Sequence, residues 1–238
     1  MIPYLGNKDK IFDFINPNLP KNPKKWVEPF GGGFNIFFSL DLNDYKETEF
    51  IYNDINPLNY NLFQSLKKDI FIKKVLSTYV DKTLFEESYS NLESTDKELK
   101  ALSWLIILCG CDLKDIMSKN FKGNFLFESL KVKLTRYKDY FKRIKVYNLD
   151  YKKILSKYDA EDTFFYLDPP YFGYEKYYIK HNFKTETHKE LSEELKNLKA
   201  NWLLSYYKFE GVEDWYSNYE IISKKTNISN ELLIIKTN

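Results

Sequence analysis

Residues 163–174 read TFFYLDPPYFGY. The run Thr163–Leu167 has the β-favouring, apolar composition of a buried strand, and it is bounded by an acid and two prolines. Pro169 and Pro170 fix φ and carry no N–H, so the strand stops at Asp168 and the chain beyond it is stiff as far as Tyr171. A simple turn could use these residues. So could a site that handles a flat, weakly nucleophilic substrate. What the other strands carry at the same end decides between them.

Working outward, KWVEPF (25–30), EFIYND (49–54) and KVYNLD (145–150) have the same character, and the last two also end in an acid. Helical patterns lie between and after them: FNIFFSLDL (34–42), LNYNLFQSLKK (58–68) and THKELSEELKNLK (187–199), the last with Thr187 and Glu190 at capping-box spacing. NWLLSYY (201–207) reads as a further strand, and YEIISKK (219–225) with ELLIIKT (231–237) as a closing hairpin. Alternating strands and helices predict an α/β, Rossmann-like fold: a mostly parallel sheet with helices on both faces. Residues 61–144 are different. TDKELKALSWLIILCG opens on a second capping-box spacing, Thr95 with Glu98, and the pattern stays helical until Gly123 breaks it. The expected organisation is a sheet domain of residues 1–60 and 145–238 with a helical insertion of residues 61–144.

Hydrophobic residues make up 43% and aromatics 18% of the 238 residues, which excludes a disordered chain. No stretch approaches the roughly 20 apolar residues of a membrane helix. MIPYLGNKDK has no signal-peptide core, so a cytoplasmic protein without a membrane partner is expected. Cys109 and Cys111 sit on an apolar stretch and read as packing. His181 and His188 lack an accompanying ligand pattern, so no metal is expected. The net charge is only +2, but Lys119, Lys122, Lys131, Lys133, Arg136, Lys138, Lys142, Arg143 and Lys145 are opposed in their stretch only by Glu128 and Asp139. Such a stretch could contact phosphates; a solvated lysine-rich face is the alternative.

Ligands of open α/β sheets bind at the carboxyl ends of the strands. The first strand ends in Glu28, Pro29, Phe30 and the glycines Gly31, Gly32 and Gly33, which allow a tight turn and close approach of a ligand. The phosphate-loop Gly-Lys-Ser/Thr is missing, and Phe34 and Asn35 follow where a dinucleotide motif would continue. The second strand leads into Asp54 and Ile55. An acid about 20 residues past a glycine turn is placed to accept hydrogen bonds from ribose hydroxyls. The set suggests an adenosine-containing cofactor, and a positively charged sulfonium would favour carboxylates such as Glu28 and Asp168. The exocyclic amine of adenine is a poor nucleophile because its lone pair is delocalised. Asp168 and a proline carbonyl that accept its two N–H groups would help it attack a methyl group, and Tyr171 offers a ring for a base taken out of the stack.

These segments together resemble the Dam-like, D12-class DNA adenine methyltransferases over almost the whole chain. YLGNKDKIFDFI (4–15) resembles the family's first cofactor motif, through Tyr4 and Lys8. VEPFGGGFNIF (27–37) resembles its glycine motif, and NDINPLNYNLF (53–63) the motif that carries Asp54. KGNFLFE (122–128) resembles a stretch of the target-recognition region. NLDYKKIL (148–155) resembles a segment that lies against the cofactor's adenine, here Asp150 and Tyr151. DPPY (168–171) is the catalytic motif, and the order is the family's α-type arrangement. Phe34 stands where the family has a second glycine, and Ser205-Tyr206 where it has Asn-Ser.

The resemblance implies methyl transfer from S-adenosyl-L-methionine to adenine N6 in double-stranded DNA. Asp168, Pro169, Pro170 and Tyr171 would act on the base. Tyr4, Lys8, Glu28, Pro29, Phe30, Gly31, Gly32, Gly33, Asp54, Ile55, Asp150, Tyr151 and Asp168 would hold the cofactor. Lys119, Asn120, Lys122, Asn124, Lys131, Lys133 and Arg136 would meet the DNA. A monomer is expected, and a cognate restriction endonuclease is a compatible partner. Methylation of cytosine N4, and a DNA-binding protein with a degenerate pocket, stay open as alternatives.

Overall fold

A computed structural model describes residues 2–173, 183–226 and 230–237. Its strands are β1 (Lys25–Glu28), β2 (Glu49–Asn53), β3 (Lys145–Tyr147), β4 (Thr163–Leu167), β5 (Asn201–Tyr207), β6 (Glu220–Lys225) and β7 (Asn230–Lys236). The helices are α1 (Phe12–Ile15), α2 (Pro57–Leu66), α3 (Asp69–Ser77), α4 (Lys82–Asn91), α5 (Lys97–Gly110), α6 (Phe125–Arg143), α7 (Tyr151–Tyr158), α8 (Thr185–Asn197) and α9 (Val212–Trp215). The strands hydrogen-bond in the order β3-β2-β1-β4-β5-β7-β6. The pairs β1–β2, β1–β4 and β4–β5 are parallel, and β7 enters antiparallel between β5 and β6. The fold is the expected mixed α/β sheet, and the hairpin predicted at 219–237 is its antiparallel part.

The chain forms two compact units. One comprises Met1–Asp9, Gly32–Ser39 and Asn56–Asn148, the other Lys10–Gly31, Leu40–Ile55 and Leu149–Asn238. In the second unit every residue of β4 is buried, as a central parallel strand requires, whereas β6 is lysine-rich and largely exposed, as suits an edge. Trp26 of β1 is fully buried and packs on Phe164 and Tyr166 of β4, with ring centroids 5.0 and 6.4 Å away. In the first unit α5 is buried from Ala101 to Gly110, so its apolar residues need no polar face and it runs through the middle of that unit. Against the same core, α6 turns a stripe of Phe127, Leu130, Leu134, Tyr137 and Phe141, at helical spacing. Cys109 and Cys111 are buried free thiols; burial raises both, Cys111 to about 11.

Local expectations differ at several points. The helix predicted at 34–42 is replaced by two 3-10 turns, Phe37–Ser39 and Leu42–Tyr45. Phe34 takes a left-handed φ of 55°, and the Asp41 side chain accepts from Asn43 N, so neither end continues an α-helix. β3 stops at Tyr147 because Asp150 caps α7 by accepting from Lys152 N. At α5 the cap is Asp96, which accepts from Glu98 N and Leu99 N, rather than Thr95. α8 begins two residues before Thr187, whose hydroxyl accepts from Lys184 N at 3.4 Å.

Candidate active site

The sheet order sets three acids of the second unit on neighbouring strands. Glu28 is the last residue of β1, Asp54 follows β2, and Asp168 follows β4. β1 pairs with both β2 and β4, with Val27 opposite Ile51 on one side and Phe165 on the other. Leu167 pairs with Leu204, so Asp168 comes level with Ser205 as the chains leave the sheet. Glu28 is buried and accepts from Trp26 Nε1 at 3.1 Å, two residues back on the same face of the strand. Asp54 is buried beside Tyr52, with Tyr52 Oη 3.5 Å from its Oδ2. Ile55, next along, is 48% exposed, a large apolar side chain left facing out beside a buried acid.

The glycine turn leaves β1 where only glycine fits. A Cβ on Gly31 would lie 2.3 Å from the Tyr52 ring, and Gly31 N donates to Asn53 O at 2.7 Å. Asn53 is a staple that sequence reading missed as a functional residue. Its Nδ2 donates to Pro29 O and Leu149 O, at 2.8 and 3.0 Å, and its Oδ1 accepts from Leu149 N at 2.9 Å. One buried amide thus fixes the end of β1 and the entry to α7 to the end of β2. Asp150, as the cap of α7, is exposed with its carboxylate engaged by the helix. Tyr151 is buried against Phe30 and Phe183, with ring centroids 5.2 and 6.0 Å away. Its phenol is pushed well above the ordinary range, by burial first and then by the charges of Glu190 and Asp150. Its Oη is buried and makes no hydrogen bond among the described residues.

After β4, Asp168 and Pro170 are half-buried and Pro169 is buried. Tyr171 is 8% exposed, with Oη 2.5 Å from Glu231 Oε1 and 2.8 Å from Ser205 Oγ. Burial, and then the charges of Asp168 and Glu231, hold its phenol far above the usual value, so it stays protonated. Behind it, His188 of α8 is fully buried, with Nδ1 hydrogen-bonded to Tyr206 Oη and its ring edge against Phe172 and Phe183. His181 lies outside the described residues. Among those described, no cluster of His, Cys, Asp or Glu could hold a metal ion.

The remaining candidates lie in the first unit. Tyr4 supports the glycine turn from below: a Cβ on Gly32, whose φ is 48°, would come 2.8 Å from its ring, and one on Gly33 would meet Ile2 O at 2.6 Å. Tyr4 Oη accepts from Asn59 Nδ2 at 3.1 Å, and Asn59 Oδ1 accepts from Trp104 Nε1 at 2.8 Å. Lys8 is buried, and its Nζ donates to Gly6 O at 2.7 Å. Phe34 is fully buried and stacks on Phe37 at 4.5 Å. Among the basic residues, Lys119, Lys122, Lys133 and Arg136 are exposed and so is Asn120, while Asn124 is half-buried where α6 begins. Lys131 is half-buried and paired with Glu128 at 2.9 Å. Met117, Phe125 and Val132 are at least 73% exposed in the same stretch.

The strand order, with acids at the carboxyl ends of β1, β2 and β4, defines an α/β fold of the class I methyltransferase type. The sequence matches the D12 class N6 adenine-specific DNA methyltransferase family over residues 4–230, and the chain belongs to that family. Among its relatives, the Type II methyltransferase M.MjaIII of Methanocaldococcus jannaschii is 26% identical over 196 residues, 71% of this chain and 67% of that one. The modification methylase LlaI of Lactococcus lactis subsp. lactis is 27% identical over 186 residues, 71% of this chain but only 29% of that longer protein. A conserved hypothetical protein of Streptococcus pyogenes superposes with a TM-score of 0.42 at 11% identity, over 97% of this chain and 95% of that one.

Proposed function

We propose that the protein transfers a methyl group from S-adenosyl-L-methionine to the N6 amine of an adenine in duplex DNA, with the base rotated out of the stack. The observation that carries this reading is the setting of Asp168. It leaves β4 between the ends of β1 and β5, is followed by a proline without an N–H, and has the aromatic Tyr171 three residues on.

The second unit suits such a cofactor. Asp54 would accept from the ribose hydroxyls, Ile55 and the rings of Phe30 and Tyr151 would meet the adenine, and Gly31 lets the turn pack directly on Tyr52, beside Asp54. Tyr151 Oη is a buried polar atom still to be satisfied. When bound, S-adenosyl-L-methionine supplies an electrophilic methyl group on a sulfonium. The chain's own part is to make the amine competent. Asp168 and the Pro169 carbonyl accept the two N6 hydrogens, which draws the lone pair out of conjugation and aims it. Pro169 offers no competing donor, and the two prolines hold these acceptors in place before the base arrives. Asp168 need not remove a proton beforehand, because the nitrogen becomes acidic once it is methylated.

Tyr4, Lys8, Gly32 and Gly33 are assigned to the cofactor, and Asp150 with them, from the motif resemblance. Lys119, Asn120, Lys122, Asn124, Lys133 and Arg136 are assigned to the DNA, with cations on phosphates and amides at base edges. Exposed Phe125 and Val132 beside these cations suit a nucleic-acid surface better than a plain solvated face. Two relatives are named as a Type II methyltransferase and a modification methylase, which supports a place beside a restriction endonuclease.

Incubation with cofactor tritiated in the methyl group and duplex DNA, followed by digestion to nucleosides, tests the reading. Label in N6-methyl-2′-deoxyadenosine that disappears in Asp168→Ala supports it. Label in N4-methylcytosine, or none, refutes it.

A further inference from the structure

The two prolines fix the backbone before Tyr171, but they do nothing to stop its side chain turning about χ1 and χ2. Something else must hold the ring if a base is to find it in one orientation. Its flanks meet Tyr207 at 4.4 Å and 75° and Tyr206 at 5.7 Å and 45°, which limits sideways movement. Its tip is held by a carboxylate from a strand 60 residues away.

Glu231 is the second residue of β7 and is only 4% exposed. It pairs with Tyr207 of β5, and Leu233 pairs with Ser205, so Glu231 shares a sheet face with Ser205 and reaches it diagonally. Its Oε1 lies 2.5 Å from Tyr171 Oη and 2.9 Å from Ser205 Oγ, and these two hydroxyls are 2.8 Å apart. Tyr171 Oη donates to Glu231 Oε1, and a hydrogen bond to a carboxylate is stronger than one to a neutral oxygen. Ser205 alone could satisfy the phenol. An acid placed among aromatic side chains, at a desolvation cost that a neutral acceptor would not carry, does more than satisfy it.

We propose that Glu231 is a positioning residue for methyl transfer. Through the hydroxyl of Tyr171 it locks the tilt of the ring against which the extruded base is held. The inference rests on the reading of Asp168–Tyr171 as the catalytic motif, and it adds a residue to which that reading gives no role.

The test compares the full-length wild type with Glu231→Gln, Tyr171→Phe and the double variant. The measurements are steady-state methylation and the fluorescence of 2-aminopurine at the target position. Glu231→Gln exchanges a hydrogen bond to a charge for a neutral one, so kcat should fall about five- to tenfold, with KM for the cofactor unchanged and an altered 2-aminopurine signal. Tyr171→Phe, which removes the bond that Glu231→Gln weakens, should lose at least as much, and the double variant should be no worse than Tyr171→Phe, because both substitutions act on one bond. Wild-type kcat in the single variants overturns the proposal. So do losses that multiply in the double variant, or a raised cofactor KM with kcat intact. If Glu231→Gln fails to fold, Tyr171→Phe, which keeps the acid, decides alone through kcat and fluorescence. A wild type that labels no adenine defeats the catalytic reading itself. A wild type that is active, with Asp168→Ala dead and Glu231→Gln normal, defeats only the role of Glu231.

Discussion

Phe34 keeps the left-handed backbone, φ 55°, that a glycine at this point of the family motif would take without strain. The backbone here is one that glycine would adopt freely and phenylalanine adopts only at a cost. The penalty of about 1–2 kcal/mol for a left-handed non-glycine residue is offset by a fully buried ring stacked on Phe37 and edge-on to Phe63. Phe34→Gly should relieve the strain but lose a ring whose removal costs about 3–5 kcal/mol, for a net destabilisation of about 1–4 kcal/mol. Urea unfolding would measure it, and a stabilised variant would show that the stack contributes little. At this scale the acids of the site were readable, since Glu28, Asp54 and Asp168 each stand at the end of an apolar run. Asn53 and Glu231 were not, because their bonds reach residues 96 and 60 positions away, and no local pattern encodes such a partner. The signals for Glu231 were an acid opening the otherwise apolar run ELLII and the likeness of that run to the family's last motif, and neither named a partner.

Among the elements, α5 shows how a spacing rule can select the wrong neighbour. Thr95 and Glu98 stand at capping-box distance, yet Asp96 is the residue whose carboxylate meets two backbone N–H groups, at 2.8 and 3.1 Å. Asp96→Ala should therefore cost about 0.5–2 kcal/mol and Thr95→Ala close to nothing, a contrast that paired thermal melts would resolve. Equal losses would return the cap to Thr95. The charge stretch is divided in a similar way by the helix that carries it. On α6, Lys133 and Arg136 are exposed, while Lys131 is tied to Glu128 and Lys142 to Asp69, each at 2.9 Å. Replacing Lys119, Lys122, Lys133 and Arg136 by glutamine should flatten the slope of log affinity against log salt by about 0.9 for each phosphate no longer neutralised. Lys131→Gln should change it less. An unchanged slope in the fourfold variant, on specific and scrambled duplexes alike, would move the DNA path elsewhere. The count of cations against acids showed that this stretch was basic; only the folded partners show which cations are already engaged.

For the whole molecule, the fold class was legible because strands and helices alternate and the hydrophobic periods are clean. The order of the strands was not, because it depends on pairings that no single segment carries. A ligand held by the native state alone shifts its unfolding. At a cofactor concentration 100 times Kd the gain is about 2.7 kcal/mol, which for a chain of this size raises Tm by about 5–10 °C. Asp54→Ala should weaken cofactor binding about ten- to a hundredfold and lose from about half to most of that rise at the same concentration, as calorimetry and thermal melts would both report. A full rise in the variant would remove Asp54 from the site. The antiparallel entry of β7 between β5 and β6 also bears on how the protein matures during synthesis. Tyr171 leaves the ribosome 60 residues ahead of the acid that anchors it. At roughly 5–20 residues per second, the nascent phenol waits about 3–12 s for its acceptor to be made, so the parallel strands are translated before the Tyr171 ring can be anchored.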